Sequence, residues 1–260
     1  MFAPEERDIL RSNLLEHAAS DRRISGAAIT GSGAAKAEDQ WSDIDLAFGV
    51  HDAAELPNVL ADWTAHMYEQ RLALHHLDVK SGAWTYRVFL LSSTLQVDLA
   101  FVPEGEFRAL APTFRLVHGK ANEPRYTPQS NARDIIGMGW LYALHARTCI
   151  ARGNLWQAEY MISGVRDTAL ALACMRHGLP TDHGRGMDRL PREVAGQFEG
   201  SLVLRLDGAE LSRAFRAAMQ GLLSEVRCAD AALAERLREA LTSLSESALP
   251  SAPTRTASPT

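Results

Sequence analysis

The stretch that decides the fold of the first half of the chain is Gly31-Ser32, followed ten residues after the serine by Ser42-Asp43-Ile44-Asp45-Leu46. The two aspartates alternate with apolar residues, so a strand would place both carboxylates on one face and the apolar side chains on the other. Their Cβ atoms would then lie roughly 6.5 to 7 Å apart, from the rise per residue. That gap suits one hard cation, or two cations shared with phosphate groups, because Mg²⁺ takes few protein carboxylates and completes its shell with water and phosphate oxygens.

A second apolar strand carries a third acidic residue. In Leu95-Gln96-Val97-Asp98-Leu99-Ala100-Phe101 the large apolar side chains share one face, and Asp98 points to the other. An isolated Asp-x-Asp is common on surface strands without a metal. The metal prediction therefore depends on the combination of the Gly-Ser turn, the apolar flanks and Asp98, since an unpaired carboxylate on a buried strand is costly. The alternative is two acidic edge strands, which accounts for the acids but not for the Gly-Ser turn.

Gly31, Ser32, Asp43, Asp45 and Asp98 together resemble the pattern of the nucleotidyltransferase superfamily that includes DNA polymerase beta. More narrowly, the pattern resembles that of the bacterial aminoglycoside and lincosamide nucleotidyltransferases. The resemblance covers roughly residues 24 to 102, and the helical remainder is similar to the substrate-binding half of these enzymes in general character. It implies transfer of a nucleoside monophosphate, AMP from ATP first of all, to a hydroxyl of a small molecule such as one of these antibiotics.

The same resemblance assigns roles to residues. Asp43, Asp45 and Asp98 would be the catalytic ligands of one or two Mg²⁺ ions, with ATP or another nucleoside triphosphate as the substrate. Gly31 and Ser32 would donate hydrogen bonds to the β- and γ-phosphates. Further candidate nucleotide-binding residues are Lys36, which stands where many relatives have a glycine, and Ser42, beside the aspartates. A lysine at position 36 can contact phosphate as a point charge. Trp41 is a candidate wall for a nucleotide base.

The periodicity predicts an α+β chain with a mixed sheet and flanking helices over residues 1–118, a helical bundle over 119–247 and a disordered tail over 248–260. The resemblance implies that the first part is the nucleotidyltransferase catalytic core and the second the substrate-binding domain. Gly153 is a predicted helix C-cap and Asn154 an N-cap. Strands are predicted at 24–30, 43–49, 74–80, 84–91 and 94–102. Helices are predicted at 4–19, 54–70, 130–152, 154–177, 209–227 and 230–246, with a short one starting in 33–36, from whose N-terminus Ser32 and the following amides would face a triphosphate.

One predicted helix of the second half carries a polar stripe. Glu159, Ser163 and Arg166 fall at i, i+4 and i+7 on one face of a largely apolar helix. One interpretation is an internal ion pair with a neighbouring helix, for instance with His145 or Arg147. The other is catalytic: Glu159 accepts the proton of the attacking hydroxyl, and Arg166 steers a phosphate or orients Glu159. The resemblance favours the catalytic interpretation, since kanamycin-type relatives take their base from a glutamate of the helical half.

Composition limits the partners. The formal net charge of −5 argues against a general nucleic-acid surface, which needs a basic face to displace counterions. The expected partners are a nucleoside triphosphate and a small hydroxylated acceptor, and a homodimer is compatible with the sequence. The first eight residues lack an apolar core and no apolar run approaches about eighteen residues, so a cytoplasmic location without membrane partners is expected. Alternative functions are transfer to a protein side chain or an RNA end, and a non-catalytic nucleotide-binding regulatory module.

Overall fold

The structure is a computed structural model that describes residues 2–126 and 131–247. The chain divides into two compact units, Met1–Pro128 and Gln129–Thr260. The predicted boundary after residue 118 would separate Gly119 from the strand that it ends, and this glycine pairs with Gly26. The predicted disordered tail, 248–260, lies outside the described residues.

The first unit is built on a six-stranded mixed sheet. The strands are β1 (Ile24–Thr30), β2 (Ile44–Val50), β3 (Ala73–Ser81), β4 (Trp84–Leu91), β5 (Gln96–Pro103) and β6 (Phe114–Gly119). Their order in the sheet is β3-β4-β5-β2-β1-β6. Strands β2 and β5 pair in parallel, and the other neighbours are antiparallel. The helices of this unit are α1 (Pro4–Ser20), α2 (Gly31–Ala35) and α3 (Leu56–Gln70), with 3₁₀ turns at Ala53–Glu55 and Glu104–Glu106.

The two faces of the sheet are covered differently. One face packs against α1 and α3, with Leu14, Trp63 and Met67 completely or almost completely buried against the apolar residues of the strands. On the other face, the buried residues form a smaller cluster around Phe107, which follows β5. This second face carries Asp45 and Asp98, because side chains alternate along a strand.

The second unit is helical throughout its described secondary structure. Asn131 caps its first helix by accepting a hydrogen bond from Asp134 N (2.9 Å), and Gly153 ends that helix at φ +72°. Gly153 therefore acts as the predicted C-cap, whereas Asn154 precedes the next helix without a side-chain capping bond. The helices are α4 (Ala132–Arg152), α5 (Leu155–Arg176), α6 (Arg192–Ala195), α7 (Gly208–Ala229) and α8 (Ala231–Glu246), with 3₁₀ turns at Asp182–Gly184, Met187–Arg189 and Gly196–Ser201.

The α+β fold class is confirmed, with local corrections. Strand β6 and the short helix α6 were not predicted, and β6 pairs with β1 along the edge of the sheet. Strand β2 begins at Ile44 rather than at Asp43. The short helix begins at Gly31 rather than within 33–36, so Ser32 lies inside its first turn, and the left-handed Lys36 ends it. Five residues of small side chain, Gly-Ser-Gly-Ala-Ala, carry too weak a periodic signal to fix such a helix from sequence.

Candidate active site

Three carboxylates meet on the open face of the sheet. Asp45 and Asp98 are register partners on the parallel strands β2 and β5, so their side chains leave the same face side by side. Asp43 directly precedes β2. One oxygen from each of the three side chains lies within 4.8 Å of the others, and each residue is partly exposed. The predicted convergence of the three aspartates is therefore found.

The surroundings of Asp98 disfavour the charged form of its carboxyl. Burial, followed by repulsion from Asp43, raises the pKa of Asp98 to about 6, and a hydrogen bond from Gln96 acts in the opposite direction. Asp98 Oδ1 is buried and has no hydrogen-bond partner among the described residues. Gln96 Nε2 donates to Asp43 Oδ2 at 3.2 Å. Three hard oxygen donors, one of them buried without a donor, fit a divalent cation of the Mg²⁺ type.

Gly31 makes room for one of these carboxylates. A Cβ atom at position 31 would overlap Asp45 Oδ2, and the backbone of Gly31 lies in the left-handed region at φ +57°. Both observations require glycine here, because other residues rarely adopt this conformation and would displace the carboxylate. The Gly-Ser turn and the second aspartate are thus one structural unit.

The predicted phosphate-contacting residues have different surroundings. The buried Ser32 Oγ has no hydrogen-bond partner within residues 2–126 or 131–247. Lys36 is exposed at the end of α2. The hydroxyl of Ser42 is used inside its own loop, where it accepts from Asp39 N at 2.9 Å and lies 3.1 Å from Asp39 Oδ1. Trp41 is 64% exposed. Ser32 therefore has the hydroxyl most available to a ligand, and the nucleotide contacts of all four residues stay predictions.

Arg7 supports the loop that precedes the aspartates, and the sequence analysis missed it. Only 4% exposed, it donates from Nη1 to Asp39 O (2.6 Å) and to Ser42 O (3.4 Å). A signal was present in the sequence: Arg7 is seven residues before Leu14 and eleven before Ala18, the other buried positions of α1. A charged residue on the buried stripe of a helix needs partners in the fold.

A pocket of about 240 Å³ adjoins the aspartates on the same face of the first unit. Asp45 and Asp98 line it at one place, and Ala47 and Ala100, two residues further along each strand, line it at another. Trp84 forms part of its wall. The remaining lining residues are Thr30, Leu46, Tyr86, Arg108, Leu110, Ala111, Thr113 and Phe114.

The polar stripe of α5 is divided between two local pairs in the second unit. Ser163 Oγ donates to Glu159 Oε1 at 2.8 Å, and Arg166 Nε donates to Asp167 Oδ1 at 3.0 Å. Within residues 131–247, no ion pair joins Glu159 to His145 or Arg147. The contact with Ser163 neither assigns nor removes a catalytic role, so the roles of Glu159 and Arg166 stay predictions.

The second unit has a larger pocket of its own, of about 700 Å³. The carboxylates of Asp134, Asp167 and Asp182 belong to its lining, together with Tyr142 and other residues of α4 and α5. A Cβ at Gly164 would lie 2.7 Å from the ring of Tyr142, so the glycine allows that ring to rest on the backbone of α5. This pocket was not predicted, because its residues are brought together by the packing of α4 against α5 and not by proximity in the sequence.

The comparisons with known proteins leave the family open. No protein-family model matches the chain, and no curated protein matches it. Among solved structures it is similar to an aminoglycoside 6-adenyltransferase from Bacillus subtilis, with 14% identity and a TM-score of 0.38 over 92% of this chain and 98% of that one. A likeness at this level assigns nothing, so the geometry of the site carries the proposal below. No helix in the described residues has the length and apolar character needed to cross a membrane.

Proposed function

We propose that this chain is a Mg²⁺-dependent nucleotidyltransferase. It transfers a nucleoside monophosphate to a hydroxyl of a small molecule such as an aminoglycoside or lincosamide, and AMP from ATP is the first candidate for the transferred group. The single observation that carries the proposal is the meeting of Asp43, Asp45 and Asp98 beside Gly31 and Ser32. Three carboxylates around one point repel each other, and Asp98 Oδ1 is buried with no hydrogen-bond donor in the described part of the chain. A divalent cation bound among the three carboxylates would offset this repulsion and stabilise the arrangement.

The three aspartates would hold one or two Mg²⁺ ions. When bound, Mg²⁺ supplies positive charge that neutralises the phosphate oxygens and lowers the pKa of a nearby hydroxyl. Ser32 Oγ, which has no hydrogen-bond partner among the described residues, donates to a non-bridging oxygen of the triphosphate, and Lys36 and Arg166 supply positive charge for phosphates. These residues position the triphosphate, and positioning with charge stabilisation accounts for most of the acceleration in such reactions.

The transfer step balances with one nucleophile and one leaving group. The acceptor hydroxyl oxygen attacks the α-phosphorus and forms a new P–O bond, while the bond from the α-phosphorus to the bridging α–β oxygen breaks. Pyrophosphate leaves with that oxygen, and the hydroxyl proton passes to the carboxylate of Glu159. This role requires Glu159 to come within hydrogen-bond range of the hydroxyl, directly or through one water molecule.

The pocket of the second unit supports a small polar acceptor. Asp134 and Asp182 of its lining favour a cationic molecule by charge, whereas Asp167 is paired with Arg166. The ring of Tyr142 offers an apolar surface in the same lining. A volume of about 700 Å³ is in the range of pockets that enclose small molecules. An aminoglycoside, which carries amines and hydroxyls together, has this combination of properties.

Two measurements test the proposal. Isothermal titration with ATP and Mg²⁺ reports binding, and pyrophosphate release in the presence of an acceptor panel reports turnover. We expect binding that depends on Mg²⁺, and release that depends on both Mg²⁺ and acceptor. Binding without pyrophosphate release from any acceptor would instead identify a non-catalytic nucleotide-binding module.

A further inference from the structure

The pocket beside the aspartates is closed at its far end by the segment that follows β5. Phe107 is completely buried, and its ring occupies the space left by two glycines of the sheet. A Cβ at Gly26 would lie 2.7 Å from Phe107 Cε1, and a Cβ at Gly49 would lie 2.9 Å from Phe107 Cγ. Asn122 secures the segment by donating from Nδ2 to Glu104 O (2.7 Å) and to Phe107 O (3.1 Å). The pocket is thus a built feature of the first unit, with fixed walls.

One wall of the pocket is aromatic. Trp84 and Tyr86 alternate on β4 and therefore share the face of the sheet that carries Asp98. Their rings stack, with centroids 5.9 Å apart and planes 22° from parallel. Ala47 and Ala100 line the base of the pocket, and their methyl side chains leave space above each strand. This part of the pocket is shallow and apolar, and a flat ring fits it.

Arg108 lines this pocket, and one of its N–H groups has no acceptor among the described residues. Arg108 Nε is buried and has no hydrogen-bond partner in the described part of the chain. Its Nη2 donates to Gly105 O at 2.5 Å and lies 3.6 Å from a carboxylate oxygen of Glu106. A buried N–H without an acceptor costs free energy, and a ligand that supplies the acceptor removes that cost.

We propose that this pocket binds the nucleobase of the nucleotide, with Arg108 donating to an acceptor atom on the base edge and setting which base is preferred. The inference rests on the proposed function, because it takes the phosphates to lie at the aspartates. Ala100 lies two residues along β5 from Asp98, roughly 6.5 Å away. A nucleotide with its phosphates at the aspartates can therefore extend its base over Ala47 and Ala100.

Hydrogen-bond chemistry at Arg108 favours a base as the occupant. The guanidinium of Arg108 can only donate, so the acceptor nitrogens and carbonyl oxygens of a base suit it, whereas the amines of a cationic acceptor offer it no acceptor. Arginine pairs best with two neighbouring acceptors, as on the guanine edge, so the choice of base depends directly on this residue. Trp41, the candidate base wall from the sequence, is exposed and does not line the pocket.

The experiment measures the affinity of adenosine, guanosine, cytidine and uridine by isothermal titration without Mg²⁺, and the KM of each triphosphate with it. Nucleosides lack phosphates, so their binding reports the base pocket and not the metal site. The variants are Arg108→Gln, Ala100→Leu and the matched control Arg115→Gln. The larger side chain of Ala100→Leu fills the pocket. Arg115 is an exposed arginine of β6 outside the pocket lining.

We expect the wild-type protein to bind at least one nucleoside and Arg108→Gln to weaken that binding about tenfold or more, with the largest loss for the preferred base. Ala100→Leu should abolish it, and Arg115→Gln should stay within about twofold. Circular dichroism checks that each variant is folded, and Arg108→Gln decides the question if Ala100→Leu unfolds.

Three outcomes would overturn the inference. These are no binding of any of the four nucleosides, equal affinities in Arg108→Gln and Arg115→Gln, and a change in the KM of the acceptor with that of the nucleotide unchanged. Failure of the proposed function gives a different result, namely Arg108-dependent nucleoside binding without pyrophosphate release. Transfer that proceeds with unchanged nucleotide affinity in Arg108→Gln would retain the proposed function and remove the base pocket.

Discussion

The candidate metal site of the first unit and the pocket of the second unit are both acidic, but they are assembled by different rules. On the sheet, Asp45 and Asp98 meet because parallel strands in register place paired residues side by side. In the helical unit, Asp134, Asp167 and Asp182 line one pocket from separate helices and a turn. The sheet site holds its carboxylates within 4.8 Å of each other, a spacing for a small cation, whereas the helical pocket surrounds a space of about 700 Å³, a size for a molecule.

Asp45→Asn should change turnover the most, and it alters only the candidate metal site of the first unit. Asp45→Asn keeps the shape of the side chain and removes a charge that holds metal, so turnover should fall on the order of a hundredfold or more. Pyrophosphate release at saturating substrates checks this, and thermal unfolding checks that the fold is intact. Asp188→Asn, at an exposed aspartate of the second unit, is the matched control and should keep full turnover. Undiminished turnover in Asp45→Asn would exclude a metal-ligand role for Asp45.

The next effect concerns the helical unit. If Glu159 takes the hydroxyl proton, Glu159→Gln should lower kcat about a hundredfold with little change in the KM of the acceptor. Ser163→Ala is the control, because it removes the hydrogen bond to Glu159 Oε1 and leaves the carboxylate. A loss of stability with an unchanged rate per folded molecule would make Glu159 a structural residue and move the search for a base to the helix face around His145.

A pair of glycine substitutions separates backbone strain from damage to the site. Gly31 and Gly82 both lie at φ +57°, but an added Cβ would overlap Asp45 at position 31 and meets nothing within 4 Å at position 82. Gly82→Ala should cost about 1 kcal/mol of unfolding free energy from the left-handed backbone and leave turnover unchanged. Gly31→Ala should cost more and also lower turnover, by about tenfold, because it displaces a metal ligand. Equal turnover in the two variants would show that Asp45 tolerates displacement.

The smallest expected effect is electrostatic. Burial raises the pKa of Asp98 to about 6, so the protonated carboxyl is the form that the metal-free fold favours. The contribution of protonated Asp98 to the free energy of unfolding is fully present below the unfolded-state pKa near 4 and is lost as the pH rises through about 6. We expect the metal-free protein to lose about 1 kcal/mol of stability between pH 4 and pH 7, once solvent screening of this partly exposed group is allowed for. Unfolding by denaturant across this range measures it.

The control for this effect is Asp98→Asn, which should remove the decline, and saturating Mg²⁺ should offset it in the wild-type protein. A decline that persists in Asp98→Asn would assign the pH dependence to other groups. In contrast to the other three predictions, this one reports on the sheet site without requiring turnover.

The amount that the sequence could predict follows the same division. The two-residue period of a strand fixes the direction of Asp45 and Asp98 from local sequence, and Asp98 needed only the expectation that its strand lies in the same sheet. Asp43 was expected on the strand and lies just before it. Strand β6 was missed because Phe-Arg-Leu-Val-His-Gly follows a stretch of turn formers and pairs only through the distant β1. Arg108 was missed for a related reason: its role depends on where the segment anchored by Phe107 lies against the sheet.

In the helical unit the four long helices were predicted well, but the short α6 and the mutual contacts of the helices were not. The interface between α4 and α5 depends on the fit of Tyr142 against Gly164, which no spacing along one helix reveals. The predicted stripe of Glu159, Ser163 and Arg166 lies on α5 as expected from the 3.6-residue period. The hydrogen-bond partners of these side chains depend on short-range geometry, and Arg166 donates to its sequence neighbour Asp167.

Mass spectrometry of the products is the sharpest test of nucleoside monophosphate transfer. The full chain is incubated with Mg²⁺, each nucleoside triphosphate in turn and a panel of hydroxylated aminoglycosides and lincosamides, with Asp45→Asn in parallel. We expect one acceptor to gain the mass of one nucleoside monophosphate, with equimolar pyrophosphate, and Asp45→Asn to lose this product. Nucleotide bound with Mg²⁺ but no modified acceptor in the whole panel, and no pyrophosphate, would contradict this expectation.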